Sequence, residues 1–326
     1  MIYMKIYGND LVIQTFQNML KNDHMAHSFL IYGEKGLGKK TMADYLAMML
    51  VCENENKPCG ICRYCKNAAA HIHPDIIYAE HSGKLGGFSV DTIRSICADA
   101  YIKPNNSDTK IYLFTDADNI TVQAQNSLLK LIEEPPPYAY FIFTATDRNI
   151  ILETIRSRII SLSASEVSRV TAVKALQEKE ISEEDAGKAV SVFGGNIGLC
   201  LEYLQDGELK SSVDLTKKIT DCIINRDEYG LLKNFTDASA DKNLLKSVLK
   251  MTDKIIRDAL AVKYSENSIA GCYADGAQIL SGSLTVNACG RLHEAIDRAY
   301  SLIDKNINIK LMVSSLCGEI STCRQL

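Results

Sequence analysis

The chain has 326 residues, enough for two or three domains that each bury a core. At 46% hydrophobic and 23% charged residues with a net charge of −4, it reads as globular and lacks a global basic field, so contact with nucleic acid must be local or made within a complex. Apolar runs fall short of the roughly 18 residues of a membrane span, the N-terminal residues lack a signal-peptide pattern, and eleven cysteines, four with metal spacing, suit a reduced, cytoplasmic protein with no membrane contact.

In chain order, Asn9-Asp10 followed by Leu11, Val12, Phe16, Met19 and Leu20 predicts a capped, amphipathic helix over 9–25. His24 and His27 follow as surface or capping residues. The apolar run Ser28-Phe29-Leu30-Ile31-Tyr32 leads into Gly33-Glu34-Lys35-Gly36-Leu37-Gly38-Lys39-Lys40-Thr41, and an Ala/Met/Leu-rich stretch, Met42 to Val51, comes next. A phosphate loop needs this order of strand, glycine loop and helix, because the turn and the first helical amides aim several N–H donors at one anion. The candidate nucleotide-binding residues are therefore Gly33, Gly36, Gly38, Lys39, Lys40 and Thr41. The G-x-x-x-x-G-K spacing is intact, but Lys40 stands where a Ser or Thr hydroxyl should hold Mg²⁺. Thr41 comes one residue late, about 100° further round a helix. The loop reads as degenerate: ATP and Mg²⁺ chemistry is not expected, and nucleotide binding without turnover stays open.

The next stretch carries the strongest local signal. Cys52, Cys59, Cys62 and Cys65 are spaced C-x₆-C-x₂-C-x₂-C, with Pro58 and Gly60 supplying the turn. Four thiolates at about 2.3 Å close a tetrahedral shell, which points to structural zinc without an open catalytic position. An iron–sulfur cluster uses similar spacing and remains the smaller alternative. His71-Ile72-His73-Pro74-Asp75 reads as a turn entering a strand at Ile76. Residues 82–88 read as a loop, and Ser89 caps a helix beginning at Val90.

Lys110-Ile111-Tyr112-Leu113-Phe114-Thr115-Asp116 is a buried parallel strand that turns polar at its carboxyl edge. A working nucleotidase places an Asp for Mg²⁺ and then a Glu there; this chain has Thr115 and Asp116. A helix from Thr121 to Glu134 stops at Pro135-Pro136-Pro137, and Tyr140–Thr146 is another buried strand. Arg156 and Arg158 lie near a further strand start.

Together these stretches resemble the bacterial clamp-loader branch of the AAA+ ATPases, over residues 6 to about 205. Asn126-Ser127-Leu128-Leu129-Lys130-Leu131-Ile132-Glu133-Glu134-Pro135-Pro136 resembles its N-A-L-L-K-x-L-E-E-P-P signature, and Ser157-Arg158-Ile159 its S-R-C. The resemblance implies a parallel α/β AAA+ P-loop module with flanking helices, a helical lid and an all-α collar. The expected boundaries are 1–163 for the module with its zinc knuckle at 52–65, 164–205 for the lid and 206–326 for the collar.

That branch contains gamma/tau motor subunits, which hydrolyse ATP, and delta-prime subunits, which donate an arginine to a neighbour's site. Lys40 and the Thr115-Asp116 pair depart from the motor pattern, and so does Gly198, which replaces the arginine of a G-S-x-R-D-A helix start. Arg158 is intact. The resemblance therefore implies a delta-prime-like subunit of the DNA polymerase III assembly, with Arg158 acting in trans and its own ATPase absent. Its expected partners are delta and gamma/tau subunits in a hetero-pentameric ring, with the sliding clamp and primer–template DNA met through the complex. The alternative is an active gamma/tau-type ATPase using Thr41 and Asp116. After residue 163 the pattern turns helical, with helices near 166–177 and 182–192 and long amphipathic stretches at 243–263 and 292–304. Asn267 to Gly282 reads as a Gly/Ser/Ala-rich loop, and the cysteines at 200, 222, 272, 289, 317 and 323 as apolar packing.

Overall fold

The computed structural model describes residues 5–22, 25–82, 86–205, 207–264, 271–303, 305 and 307–323. The predicted placements of His24, of the loop's 83–85 and of residues 267–270, 304 and 306 lie outside them. The chain divides into two compact units, Met1–Thr171 and Ala172–Leu326.

In the first unit the elements run α1 (Asp10–Lys21), β1 (Ser28–Tyr32), α2 (Lys39–Val51), α3 (Arg63–Ala69), β2 (Ile76–Tyr78), α4 (Val90–Asp99), β3 (Lys110–Phe114), α5 (Val122–Glu133), β4 (Ala139–Ala145), α6 (Glu153–Arg156) and β5 (Ile160–Ser163). The strands form one sheet in the order β2-β3-β4-β1-β5, and every pairing is parallel. β1, β3 and β4 are buried along nearly their whole length, which explains their unbroken apolar sequences. Register between β3 and β4 is marked by aromatic pairs. Tyr112 lies opposite Phe141 and Phe114 opposite Phe143, with ring centroids 5.4 and 4.5 Å apart. On the other face Phe16 of α1 meets Phe29 of β1 edge-on at 5.2 Å, beside the apolar side of α2. Phe88, Ile93, Ala124 and Leu128 build the core on the opposite face.

Local signals set the helix ends. Ser89 and Thr121 accept the backbone N–H groups of Thr92 and Ala124, as N-caps do. Asn9 is a correction. It makes no side-chain cap for α1, and its Oδ1 accepts the Ser165 N–H at 2.8 Å instead.

The second unit is helical throughout its described residues: the end of α7 (Arg169–Gln177), α8 (Glu183–Phe193), α9 (Ile197–Leu204), α10 (Glu208–Asn225), α11 (Glu228–Ala238), α12 (Lys242–Lys263), α13 (Ala274–Ser283), α14 (Val286–Leu302) and α15 (Ile309–Cys323). Helix α13 overturns the loop expected over 267–282. Gly276 lets it pack closely: a Cβ there would lie 2.5 Å from the Tyr273 ring and 3.0 Å from Thr220 of α10. Cys200, Cys272, Cys289, Cys317 and Cys323 are buried, as apolar packing requires, and Cys222 is partly buried. Among the described residues, no helix is long and apolar enough to cross a membrane.

Candidate functional site

The glycine loop leaves the sheet from β1, between β4 and β5. The strand end is held on both sides: Gly33 N–H donates to Ala145 O at 3.2 Å, and Ala164 N–H donates to Tyr32 O at 2.7 Å. Gly33 has φ +150°, and a Cβ there would meet Ala164 O at 2.8 Å. Gly36 and Gly38 also have positive φ, +89° and +78°, and Gly38 caps α2. The sequence thus folds into the strand–loop–helix shape expected of a phosphate loop, with α2 pointing its first amides at the loop.

The side chains inside that shape engage one another. Lys39 is buried and turns back, its Nζ donating to Gly33 O at 2.7 Å and Glu34 O at 2.8 Å. Burial lowers its pKa below the ordinary lysine value, against the opposing pull of the Asp118 and Asp116 carboxylates. Lys40 projects outward and pairs with Asp116 Oδ2 at 2.5 Å. Asp116 is itself in a left-handed conformation, φ +52°, and its N–H donates to the buried Thr144 Oγ1 at 2.9 Å. Asp118 accepts from the N–H of Thr146 at 2.8 Å and from its hydroxyl. Thr41 is partly buried at the next position of α2. One ammonium and one carboxylate therefore neutralise each other where a nucleotidase places metal ligands. Mg²⁺ needs carboxylate and phosphate oxygens, so the pair must open before an ion can enter. Gly198 lies in the first turn of α9, in the second unit.

The four predicted cysteines come together. Their Sγ atoms all lie within 4.8 Å of one another, an arrangement that can hold a metal ion. Cys59 and Cys65 Sγ are 3.9 Å apart; a tetrahedron with sulfur arms of about 2.3 Å has edges of about 3.8 Å. Backbone N–H groups aim at the sulfurs: Cys62 N–H at Cys59 Sγ and Cys65 N–H at Cys62 Sγ, both at 3.3 Å. The Cys62 and Ile61 N–H groups bring the Cys59 thiol down to about 6, whereas burial pushes Cys65 and Cys52 up. Four mutually close sulfurs cannot all ionise without a cation between them, so the donor set fits a thiophilic divalent ion. His71 and His73 are not part of the group. His71 contacts the Tyr78 hydroxyl, and His73 Nδ1 accepts the Asp75 N–H.

Arg158 follows the short helix α6, where its N–H donates to Ile155 O at 2.9 Å. Its side chain is 43% exposed. Nη1 donates to Thr154 O at 2.8 Å and Ser157 Oγ at 3.1 Å, and Nη2 pairs with Glu133 Oε1 at 2.9 Å. Sequence reasoning found the arginine and missed the carboxylate, although both lie in the quoted signatures.

The five-stranded parallel sheet, the glycine loop that follows its inner strand β1 and the helical second unit define an AAA+ P-loop protein. A gamma subunit-related protein of DNA polymerase III from Thermotoga maritima superposes on 97% of this chain and 99% of its own, with TM-score 0.50 at 17% identity, a likeness of fold. Residues 8–168 match the family described as DNA polymerase III, delta subunit. Over 160 residues the chain is 32% identical to the DNA polymerase III subunit gamma of Buchnera aphidicola subsp. Schizaphis graminum, covering 48% of this chain and 43% of that protein. Over 209 residues it is 32% identical to the subunit delta' of Haemophilus influenzae, covering 63% of this chain and 61% of that one. The similarity places residues 8–168 with DNA polymerase III clamp-loader subunits. The chain spans less than two thirds of either of these two relatives.

Proposed function

We propose that this chain is a delta-prime-type subunit of the clamp loader, a cytoplasmic structural partner without ATPase activity of its own. It assembles with delta and gamma/tau subunits into a hetero-pentameric ring and reaches the sliding clamp and primer–template DNA through that ring. Its domains are the AAA+ module (1–163), the lid (164–205) and the collar (206–326). Cys52, Cys59, Cys62 and Cys65 hold structural zinc that stabilises the 52–65 insertion and takes no part in chemistry. Gly33, Gly36, Gly38, Lys39, Lys40 and Thr41 form a degenerate nucleotide loop.

The observation that carries this reading is the Lys40–Asp116 ion pair across the metal position, in a chain whose Arg158 guanidinium still reaches the surface. An arginine that acts on a neighbour's γ-phosphate needs nothing from its own chain's metal site. In a complex rebuilt from this chain and its delta and gamma/tau partners, Arg158→Ala should leave assembly intact. Turnover at the adjacent ATP site should drop by about 10³–10⁵. Wild-type turnover at that site would sink the proposal.

A second reading, an active motor of the gamma/tau type, is favoured by the likeness to gamma and tau subunits. The isolated chain separates the two: Mg²⁺-dependent ATP hydrolysis belongs to the motor alone.

A further inference from the structure

The Arg158 side chain is held by partners that the arginine-finger reading does not require. Its guanidinium has five N–H donors in a rigid plane. Nη1 donates to Thr154 O and Ser157 Oγ, and Nη2 stands 2.9 Å from Glu133 Oε1 as an ion pair. Nε–H has no hydrogen-bond partner among the described residues, and the partner of Nη2 there is the Glu133 carboxylate. One edge of the fork is fixed by its own chain, and the other is left for a ligand.

Glu133 is an awkward residue for its own helix. It is the last residue of α5, where the helix dipole disfavours a carboxylate, and Pro135 ends the helix just beyond. The side chain is 45% exposed and packs into no core. Among the described residues its one partner is Arg158. An ion pair this exposed adds little to folding and is easily exchanged. It does, however, select one rotamer of a long side chain whose freedom would otherwise be lost at the moment of reaction.

We propose that Glu133 is a positioning residue for Arg158: its carboxylate orients the guanidinium so that the unpaired edge faces the γ-phosphate of a nucleotide bound by the adjoining subunit. This rests on the arginine-finger reading above. Glu133 touches no nucleotide. Its effect passes through Arg158, and it concerns the rate of phosphoryl transfer rather than nucleotide affinity, since the neighbour's own loop binds the ground state.

The test uses the rebuilt complex with Glu133→Ala, Glu133→Gln or Arg158→Ala, each checked for unchanged assembly by size. Glu133→Ala should lower kcat for ATP by about 10- to 100-fold, the scale of a misplaced catalytic group, with KM unchanged. Glu133→Gln should recover most of the loss, because its amide oxygen keeps the shape and the acceptor that stand beside Nη2. A merely structural role would not give this split of kcat from KM together with the recovery. Unchanged or faster turnover in Glu133→Ala, beside a depressed Arg158→Ala, overturns the positioning role alone. Unchanged turnover in Arg158→Ala overturns the finger reading and this inference together.

Discussion

Lys40 and Asp116 hold each other at 2.5 Å across the gap where a working phosphate loop keeps its metal. The two residues stand at positions where the hydrolytic pattern has a hydroxyl and a carboxylate for Mg²⁺ chemistry, so two departures that look independent in sequence meet in space. Both side chains are half-exposed, and such a pair contributes at most about 1 kcal/mol to stability. Lys40→Ala should therefore leave the melting temperature nearly unchanged. The effect falls on metal binding, because an ammonium at the site repels a divalent cation and occupies the carboxylate. In isolation the chain should hydrolyse no ATP, and Mg²⁺ should not strengthen any nucleotide binding seen by calorimetry. The combined change Lys40→Thr, Thr115→Asp and Asp116→Glu should make that binding Mg²⁺-dependent. A wild-type chain that already turns over ATP with Mg²⁺ would contradict the assignment.

The cysteine cluster makes a prediction that is independent of the loop. Cys65 is 1% exposed and sits between the Cys62 cap and the α3 core contacts. Structural metal binding is coupled to folding of the segment that supplies the ligands. Purified protein should contain one zinc per chain by native mass spectrometry. Cys65→Ser should lose the ion and lower the melting temperature of the first unit, while Cys222→Ser should retain it. Stoichiometric iron with acid-labile sulfide would instead identify a cluster, and full zinc in Cys65→Ser would remove that residue from the ligand set.

The sheet was legible because a doubly covered parallel strand leaves a continuous apolar run, as in Tyr112–Phe114 and Phe141–Phe143. The cap at Ser89 was legible because the serine lies within three residues of the N–H it accepts. Asn9 carries the same signal and fails, because its side chain is claimed by Ser165 from far along the chain. Helix α13 was missed because its Gly276 and Gly282 read as loop residues by propensity, whereas Gly276 serves a close helix contact. The four cysteines could be grouped from spacing alone. The pairs Lys40–Asp116 and Arg158–Glu133 could not, since long-range pairing of surface charges leaves no period or motif in sequence.

Two glycines of the loop separate backbone strain from steric conflict. Gly38, at φ +78°, has nothing within 4 Å of a Cβ position, so Gly38→Ala should pay only the left-handed penalty of about 1–2 kcal/mol. Gly33 combines φ +150° with a Cβ position 2.8 Å from Ala164 O and 3.2 Å from Leu37 Cδ1. Gly33→Ala must also push β1 and the Ala164 backbone apart, which adds about 1–3 kcal/mol on the scale of overpacking. Thermal unfolding should rank Gly33→Ala well below Gly38→Ala. The reverse order would mean that the loop does not leave the strand as described.

Asp75 provides the pH-dependent prediction. It is fully buried, and its carboxylate accepts the N–H groups of Asn105 at 2.5 Å, Asn106 at 2.8 Å and Ser107 at 2.9 Å, with the Ser107 hydroxyl at 3.2 Å. Burial by itself would raise its pKa, but the four donors together outweigh that cost and leave it below 3.8. A depressed carboxylate stabilises the fold above its unfolded pKa, and that stabilisation disappears as pH falls through the folded pKa. The contribution is therefore complete at neutral pH, begins to fall near pH 3.8 and is lost below the folded value. Asp75→Asn would turn an NH₂ group toward N–H donors and strand at least one of them, costing about 2–4 kcal/mol at pH 7. The stability gap between wild type and Asp75→Asn should be constant above about pH 5 and narrow as acid protonates the wild-type carboxylate. A gap that stays constant down to pH 2 would show that the carboxylate charge is not what holds the 105–107 turn.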